Sequence, residues 1–573
     1  MTTTATMTID GRSVAVGDER NVLEVCRREG IDIPTFCYHS HLSIYGACRL
    51  CLVDIEGRGV VTSCTTVPEP GLVIRTHTDQ IRRMRRIAVE LLLANHDQRC
   101  PTCGKSGACR LQDLARRLGI REPRFASTLE RRPVDASSHA VTRDPNRCVL
   151  CGDCVRACRE VQGVGAIDFA HRGTDSTVVP AWGEDLAGSG CVDCGACVAV
   201  CPTGALVPTS SVDAVWHDLH DPAVVVVAQI APAVRVAIAE EFGQERGTMA
   251  TGQVVAALRR LGFDQVMDTG FAADLTVMEE TEEFIGRVSA GERLPQFTSC
   301  CPAWVNYAEQ YRPDILPLLS TCRSPQQMLG ALAKRILPQQ LKLEGRRLVM
   351  VSIMPCTAKK GEARRPAFVH DGQPEVDHVL TTRELAAMIA EQGLDWRRLE
   401  PESLDMPFGF KTGAGLLFGH GGGVTEAVVR LAGERLAGQA MTPLDPQPDP
   451  RWPGLRRAEL DLGDRRLRLA MVQGLASAGA LADAVLAGEV EYDLIEVMAC
   501  PGGCVGGAGQ PVTIDPQAVA RRTKALREAD RTLQLHRSQD NHLVAALYAE
   551  HLGAVGSPRA HACLHTCHGA AGH

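Results

Sequence analysis

Twenty-four cysteines are distributed over 573 residues, and most stand in tight, regularly spaced clusters. That feature limits the folds open to the chain more than any other. The first ten residues, MTTTATMTID, contain no basic stretch leading into an apolar run, so no secretory signal is expected. No segment approaches the roughly 20 uninterrupted apolar residues of a spanning helix, so no membrane partner is expected. A cytoplasmic protein is the expectation, and there clustered thiols act as metal ligands rather than disulfides. A net charge of -7, with 23% charged residues, gives no electrostatic reason to expect nucleic acid. The length implies about three to four domains.

The first group, Cys37, Cys48, Cys51 and Cys64, is spaced C-x10-C-x2-C-x12-C. Two thiolates on the Cys-x2-Cys turn can chelate one iron, and the outlying pair supplies the second iron or closes the cage, as in a 2Fe-2S site. Four thiolates also suit tetrahedral zinc; the cysteine runs further along favour iron. Cys148, Cys151, Cys154 and Cys158, then Cys191, Cys194, Cys197 and Cys201 with Pro202, make two C-x2-C-x2-C-x3-C runs. In this two-cluster bacterial ferredoxin pattern the fourth cysteine of each run ligates the other cluster. One 4Fe-4S cluster is thereby assigned to Cys148, Cys151, Cys154 and Cys201, and the other to Cys158, Cys191, Cys194 and Cys197. Between the groups lies His96-x3-Cys100-x2-Cys103-x5-Cys109. Three thiolates leave a cubane one ligand short, and spacing alone leaves His96 open as a fourth ligand or a polar surface residue.

The residues up to about Asp79 predict a small β-rich domain: a hairpin over MTIDGRSVAV, a short helix over Asn21 to Glu29, and a second hairpin turning at Gly57 and Gly59. IRRMRRIAVELLLANHD has apolar residues at helical spacing, and its Arg82, Arg83, Arg85 and Arg86 read as a solvated helix face rather than a docking patch. Arg121 to Asp144 reads as a linker. Beyond about Val207 the chain alternates in α/β fashion. Four apolar, β-branched runs (Ala223–Ile230, Arg347–Met354, Leu467–Val472, Tyr492–Met498) each adjoin a loop rich in Cys, Gly or Pro. Ligands bind beyond the carboxyl ends of strands in open α/β sheets, so these loops are expected to converge.

The late cysteines are Cys300 and Cys301 in FTSCCPAW, Cys356 in IMPCTAKK, and Cys500 and Cys504 in EVMACPGGCVGG. They lie on three loops far apart in sequence, which suits a buried catalytic cluster rather than a simple relay. GAGLLFGHGGGVTEA lacks the Walker lysine and the dinucleotide fingerprint, so a nucleotide site is rejected. Cys26 and Cys322 read as small buried apolar side chains. The tail HACLHTCHGAAGH reads as a disordered end, with Cys563, His565, Cys567 and His568 at most an adventitious metal binder.

These three late motifs, with the cluster order before them, closely resemble the large, multi-cluster monomeric iron-only (FeFe) hydrogenases, from about Met7 to His561. The resemblance implies a multidomain α+β and α/β fold. Its parts would be a β-grasp ferredoxin-like 2Fe-2S domain (residues 1–79), a small His/Cys3 4Fe-4S domain (80–125), a two-cluster ferredoxin domain (126–209) and a large two-lobed α/β catalytic domain with a short tail (210–573). It implies one 2Fe-2S cluster, three accessory 4Fe-4S clusters and an H-cluster, a 4Fe-4S cubane joined to a di-iron unit with CO, CN⁻ and a bridging dithiolate. By this likeness Cys301, Cys356, Cys500 and Cys504 hold the cubane, and Cys504 also bridges to the di-iron unit. Cys300 is the terminal proton donor and acceptor, continued outward by Glu280, Ser320, Glu283 and Arg287. Lys359 holds a cyanide, and Pro232, Ala233, Gln326, Met354, Phe418 and Met498 line the pocket; His96 matches a cluster ligand.

The implied reaction is reversible reduction of protons to H2, with ferredoxin or a similar small carrier as electron partner and maturation proteins to supply the di-iron unit. Ala233 departs from a frequent serine, Pro501 from an alternative histidine, and His420 and Gly421 from smaller or hydroxyl residues. Two rivals are a non-catalytic electron-transfer subunit, like the large iron–sulfur subunit of NADH dehydrogenase, and a hydrogenase-like assembly or sensing protein. The joint presence of Cys300, Glu280 and Lys359 favours catalysis.

Overall fold

A computed structural model describes residues 5–127, 129–438, 444–463, 465–512, 515 and 517–569. The N-terminal hairpins form as expected. Thr6–Ile9 pairs with Arg12–Ala15, and Leu52–Ile55 with Gly59–Thr62. Val73–Arg75 runs parallel to Thr6–Ile9 and joins the two hairpins into one five-stranded sheet. Helix Val22–Arg28 packs on it, its N-terminus capped by the Asn21 side chain accepting from Glu24 N at 3.1 Å. Cys26 is fully buried in this core.

Helix Asp79–Ala94 follows, started by Thr78. Its inward face is Ile81, Arg85 and Val89, whereas Met84, Ile87 and Leu91 are exposed. The reading of all four arginines as solvated is therefore corrected at Arg85. Its guanidinium is buried and donates to the carbonyls of Leu50 and Leu52 at 3.1 and 2.7 Å. A fork of N–H donors thereby reaches two main-chain carbonyls on either side of Cys51.

The stretch from Arg121 to Asp144 is largely irregular, as a linker should be, but it is tied down. Strand Val141–Arg143 pairs with Leu206–Pro208, and Asp135 accepts from Leu186 N at 3.0 Å. The two cysteine runs each lead into a short helix, Asp153–Arg156 and Ala196–Val200. Each is preceded by a left-handed glycine, Gly152 (φ 75°) and Gly195 (φ 68°). At Gly195 a Cβ would collide with Thr357 and Ala508, so glycine here lets the ferredoxin unit press against the catalytic loops.

The four β-branched runs become strands in two sheets. One is four-stranded and parallel, in the order Gln265–Asp268, Val224–Ile230, Arg347–Met354, His378–Thr381. The other runs Gln296–Phe297, Leu494–Met498, Arg466–Gln473, Arg456–Asp461, Gln447–Pro448, its first three strands parallel. Central strands are buried on both faces, which is why they read as unbroken apolar runs. The long helices Thr269–Ala290, Pro325–Gln340 and Gly423–Ala437 pack around them. No described helix is long and apolar enough to cross a membrane.

The tail corrects the expectation of a disordered end. Helix Pro558–Leu564 is followed by a strand-like bridge between His565 and Cys322. Arg323 N donates to Leu564 O, and Thr566 N to Thr321 O, both at 2.8 Å. Buried apolar side chains such as Ala560 and Leu564 anchor it in the core of the first sheet. Residues 570–573 of that motif, and residues 1–4 at the other end, lie outside the described ones.

Candidate active site and cluster sites

The ends of parallel strands deliver the late cysteines to one place. Strand Gln296–Phe297 runs into Cys300 and Cys301, Arg347–Met354 into Cys356, and Leu494–Met498 into Cys500 and Cys504. All five border a single, almost wholly apolar cavity of about 80 Å³. Pro232, Ala233, Gln326, Met354, Phe418, Met498 and Lys359 border the same cavity. The glycines of the last loop keep it open. Gly503 has φ 81°, and a Cβ there would strike the backbone of His420 and Gly421; one at Gly507 would strike the Pro355 carbonyl.

Cys300 and Cys301 face different surroundings. Cys301 sits just before helix Pro302–Tyr311; burial raises its thiol, and the backbone N–H groups of Ala499, Trp304 and Ala303 pull it partly back. Around Cys300 the strongest influences are burial and neighbouring charge. Burial, and then the nearby Glu280 carboxylate, push its thiol well above the ordinary range. Lys359 is buried but stays charged: its ammonium donates to Glu362 at 2.9 Å and to Cys300 O at 3.2 Å. Glu362 also accepts from Ser324 (3.0 Å) and Gln326 (3.1 Å), so one carboxylate orders both Lys359 and Gln326.

Glu280 and Glu283 lie on helix Thr269–Ala290, Glu280 buried and Glu283 half-buried. Burial, and next the charge of Glu283, push Glu280 up to about 8. The Ser320 hydroxyl donates to Glu283 at 3.0 Å and lies close enough to Glu280 to pull it partly back. Arg287 donates to Glu283 at 2.6 Å and to the carbonyls of Leu318 and Leu319 at 2.9 and 2.7 Å. Ser320 and Arg287 thus both bond Glu283, Ser320 lies close to Glu280, and the charge of Glu280 acts on Cys300 at the cavity.

The other cysteine groups also gather. Cys148, Cys151, Cys154 and Cys201 line one small gap. Burial, and then the proximity of Cys158, Cys191 and one another, raise the thiols of Cys194 and Cys197. In the first group the thiol contacts run Cys37 with Cys48 and Cys51 with Cys64. The two cysteines of the Cys48-x2-Cys51 turn therefore face different partners. His96 is buried beside Cys100 and Cys109, and its Nδ1 has no hydrogen-bond partner. Burial lowers it to about 4, so the imidazole is neutral and able to act as a ligand. Cys103 sits at the end of the short turn Cys100–Thr102, close to Gly204.

The donor chemistry fits iron–sulfur groups. All 24 cysteines are free thiols, so no disulfide competes, and four soft sulfur donors converge at the catalytic cavity. Cys322 and Cys563 are buried and Cys567 is exposed. Among the described residues the tail donors Cys563, His565, Cys567 and His568 do not gather into one metal-sized group. The glycine-rich loop packs on the cysteine loop, with Val505 N donating to Gly419 O at 2.9 Å.

Three features escaped the sequence reading. Glu362 is one: its place three residues after Lys359 on a helix was a usable signal. Glu496 is another, a buried carboxylate inside the apolar strand Leu494–Met498. It accepts from Gly422 N and Thr425 N at 2.7 and 2.8 Å, and burial pushes it up to about 7. His565 is the third, and nothing in its sequence neighbourhood pointed inward.

Comparison with known proteins agrees with this geometry. Residues 224–508 match the family described as iron only hydrogenase large subunit, C-terminal domain, and 516–570 match iron hydrogenase small subunit. Residues 2–79 match a 2Fe-2S iron-sulfur cluster binding domain, and 147–205 a 4Fe-4S dicluster domain. Residues 85–124 match the NADH-ubiquinone oxidoreductase-G iron-sulfur binding region. NADP-reducing hydrogenase subunit HndD of Solidesulfovibrio fructosivorans is 42% identical, over 98% of both chains. Iron hydrogenase 1 of Clostridium pasteurianum is 34% identical, over 98% of this chain and 99% of that one. The solved structure of [FeFe]-hydrogenase HydA1 from Chlamydomonas reinhardtii is 38% identical with a TM-score of 0.59, covering 64% of this chain and all of that one. Fold and site together define a multi-cluster iron–sulfur oxidoreductase. The chain belongs to the iron-only hydrogenase family, enzymes acting on H2, with ferredoxin-like cluster domains ahead of the hydrogenase domain.

Proposed function

We propose that this hydrogenase interconverts protons and H2 at an H-cluster held by Cys301, Cys356, Cys500 and Cys504, with Cys300 as its proton donor and acceptor. The observation that carries the assignment is the meeting of these five cysteines with Lys359 around one buried, almost wholly apolar cavity. When bound, the group supplies electrons and an open iron position for making or breaking the H–H bond. Cys504 would also help to hold the di-iron unit. The chain's own work is to hold, orient and protonate. Lys359, pinned by Glu362, presents a cation to a cyanide. Pro232, Ala233, Gln326, Met354, Phe418 and Met498 shape a pocket that excludes water. A proton leaving Cys300 passes to Glu280 and, by way of the Ser320 hydroxyl, to Glu283, with Arg287 at the outer end.

Electrons would be supplied to the cavity by one 2Fe-2S cluster, held by Cys37, Cys48, Cys51 and Cys64, and by three 4Fe-4S clusters. His96, Cys100, Cys103 and Cys109 hold one of these, and the two quartets of the ferredoxin unit hold the others. The units are residues 1–79 (β-grasp), 80–125, 126–209 and 210–573 (two-lobed), and the enzyme works in the cytoplasm. A ferredoxin or similar small carrier is the electron partner, and maturation proteins supply the di-iron unit. One relative is named as a subunit of an NADP-reducing hydrogenase; this chain shows no dinucleotide fingerprint, so any nicotinamide chemistry would sit on a separate subunit. The test is an anaerobic infrared spectrum of matured protein. CO and CN⁻ bands that vanish when Cys504 is replaced are the expected result; their absence from fully matured protein would overturn the assignment.

A further inference from the structure

The outer end of the proton line poses a chemical problem. Arg287 is bound to Glu283 and to three backbone carbonyls. Guanidinium groups do not deprotonate in proteins, so Arg287 can hold Glu283 but cannot take its proton. Glu283 has a second neighbour that can. Thr321 donates to it from its backbone N–H at 3.0 Å, and the Thr321 hydroxyl oxygen lies 3.3 Å from the same carboxyl oxygen, close enough to accept its proton. The same hydroxyl lies 2.8 Å from Nδ1 of His565. Nε2 of His565 lies 3.0 Å from Glu279, whose other oxygen accepts from Tyr548 at 2.6 Å. Because Nε2–H is donated to Glu279, Nδ1 is left as an acceptor facing the Thr321 hydroxyl.

We propose that Glu283 exchanges its proton through the Thr321 hydroxyl with His565, a residue of the C-terminal tail, while Arg287 only positions the carboxylate. This rests on the proton line described above and extends it. In the outward direction the Glu283 carboxyl proton passes to Thr321 Oγ1 as the hydroxyl's own proton passes to His565 Nδ1. Thr321 ends unchanged, Glu283 becomes a carboxylate, and His565 becomes an imidazolium beside Glu279. Uptake runs the same steps in reverse. The His565 ring stacks on the exposed ring of His561, with centroids 3.9 Å apart, so the receiving group is one layer from water. The charged and titratable groups around it are Glu279 and Glu283 on the long helix, Cys322 and Arg323 on the bridging strand, and His561 on the tail helix. The tail motif thereby gains a function: helix Pro558–Leu564 and the His565–Cys322 bridge deliver one imidazole to one hydroxyl.

The experiment compares matured full-length Thr321→Val, Thr321→Ser, His565→Phe and Glu283→Gln enzymes in H2 evolution and oxidation, each in H2O and D2O across pH. Thr321→Val and His565→Phe are expected to lose at least about 10-fold in turnover, with a larger solvent isotope effect and a changed pH profile. Thr321→Ser, which restores the hydroxyl, should return to within about twofold of the parent. Wild-type rates, isotope effects and pH profiles in both Thr321→Val and His565→Phe, with Glu283→Gln inactive, would overturn the Thr321–His565 step alone. A fully active Glu283→Gln would instead overturn the underlying proton line. Equal losses in Thr321→Val and Thr321→Ser, with an unchanged isotope effect, would reduce Thr321 to a packing role and also overturn the proposal.

Discussion

At the scale of single residues, adjacent cysteines are given opposite tasks by what surrounds them. Burial raises both thiols, but backbone N–H groups offset part of that rise at Cys301, whereas the nearby Glu280 adds to it at Cys300. Cys300→Ala should therefore retain its iron and its visible cluster spectrum while losing on the order of 100-fold or more in H2 evolution; iron analysis beside the activity assay separates the two. Glu280 carries the pH signature. Its folded value of about 8 lies above the ordinary carboxyl value of 4.5. The folded protein thus binds one more proton than the unfolded chain between those limits, and this contribution to stability falls as pH rises through the window and is gone above about 8. A protonated-carboxyl infrared band that fades around pH 8, and that is missing from Glu280→Gln, is the expected observation. A band already lost at pH 5 would contradict it.

Elements carry the precision of the site. Asp268 ends a strand of the first sheet and caps the long helix bearing Glu280 and Glu283, accepting from Gly270 N at 2.8 Å. It is also fully buried against Arg235 (2.8 Å) and Lys411 (3.2 Å), two cations that hold it at about 2 despite burial. Asp268→Ala would leave both cations without their partner and is expected to cost about 3–5 kcal/mol, read as a lowered thermal midpoint. The native contribution should be whole above the unfolded carboxyl value of 3.8 and lost as pH falls through about 2. In the cysteine loop, Gly503→Ala meets both a left-handed φ and the backbone of the glycine-rich loop. About 1–3 kcal/mol of strain is expected there, with cubane iron lost from the site before the other clusters; iron content after mild heating checks this.

Across the whole molecule, the ferredoxin unit presses on the catalytic loops through Gly195 and through Thr357, whose hydroxyl donates to Asp193 O at 3.0 Å. Cys194 lies in the same packed cluster as catalytic-domain residues. Cys194→Ala should therefore cut turnover driven by a protein electron carrier at least about 10-fold more than turnover driven by a small dye able to reach the cavity. Equal losses with both donors would argue against a serial relay.

The sequence alone determined the kinds of iron–sulfur domain, the class of enzyme and the main strands. Short ligand spacings such as Cys148 to Cys158 are local chemistry, and buried parallel strands advertise themselves as apolar runs. It did not determine which thiol faces which. Cys48 and Cys51 share a turn yet contact different partners, because strand and turn geometry aim their side chains apart. Nor did it determine that Arg85 points inward: an arginine among arginines looks solvated until the main-chain carbonyls it bonds are placed behind it. The tail was the largest miss. A polar, histidine-rich end carries no apolar periodicity, and its order comes from Ala560 and Leu564 entering a core built some 200 residues earlier. Contacts between distant segments decide such matters, since the free energy that fixes them is released only when both partners are already in place.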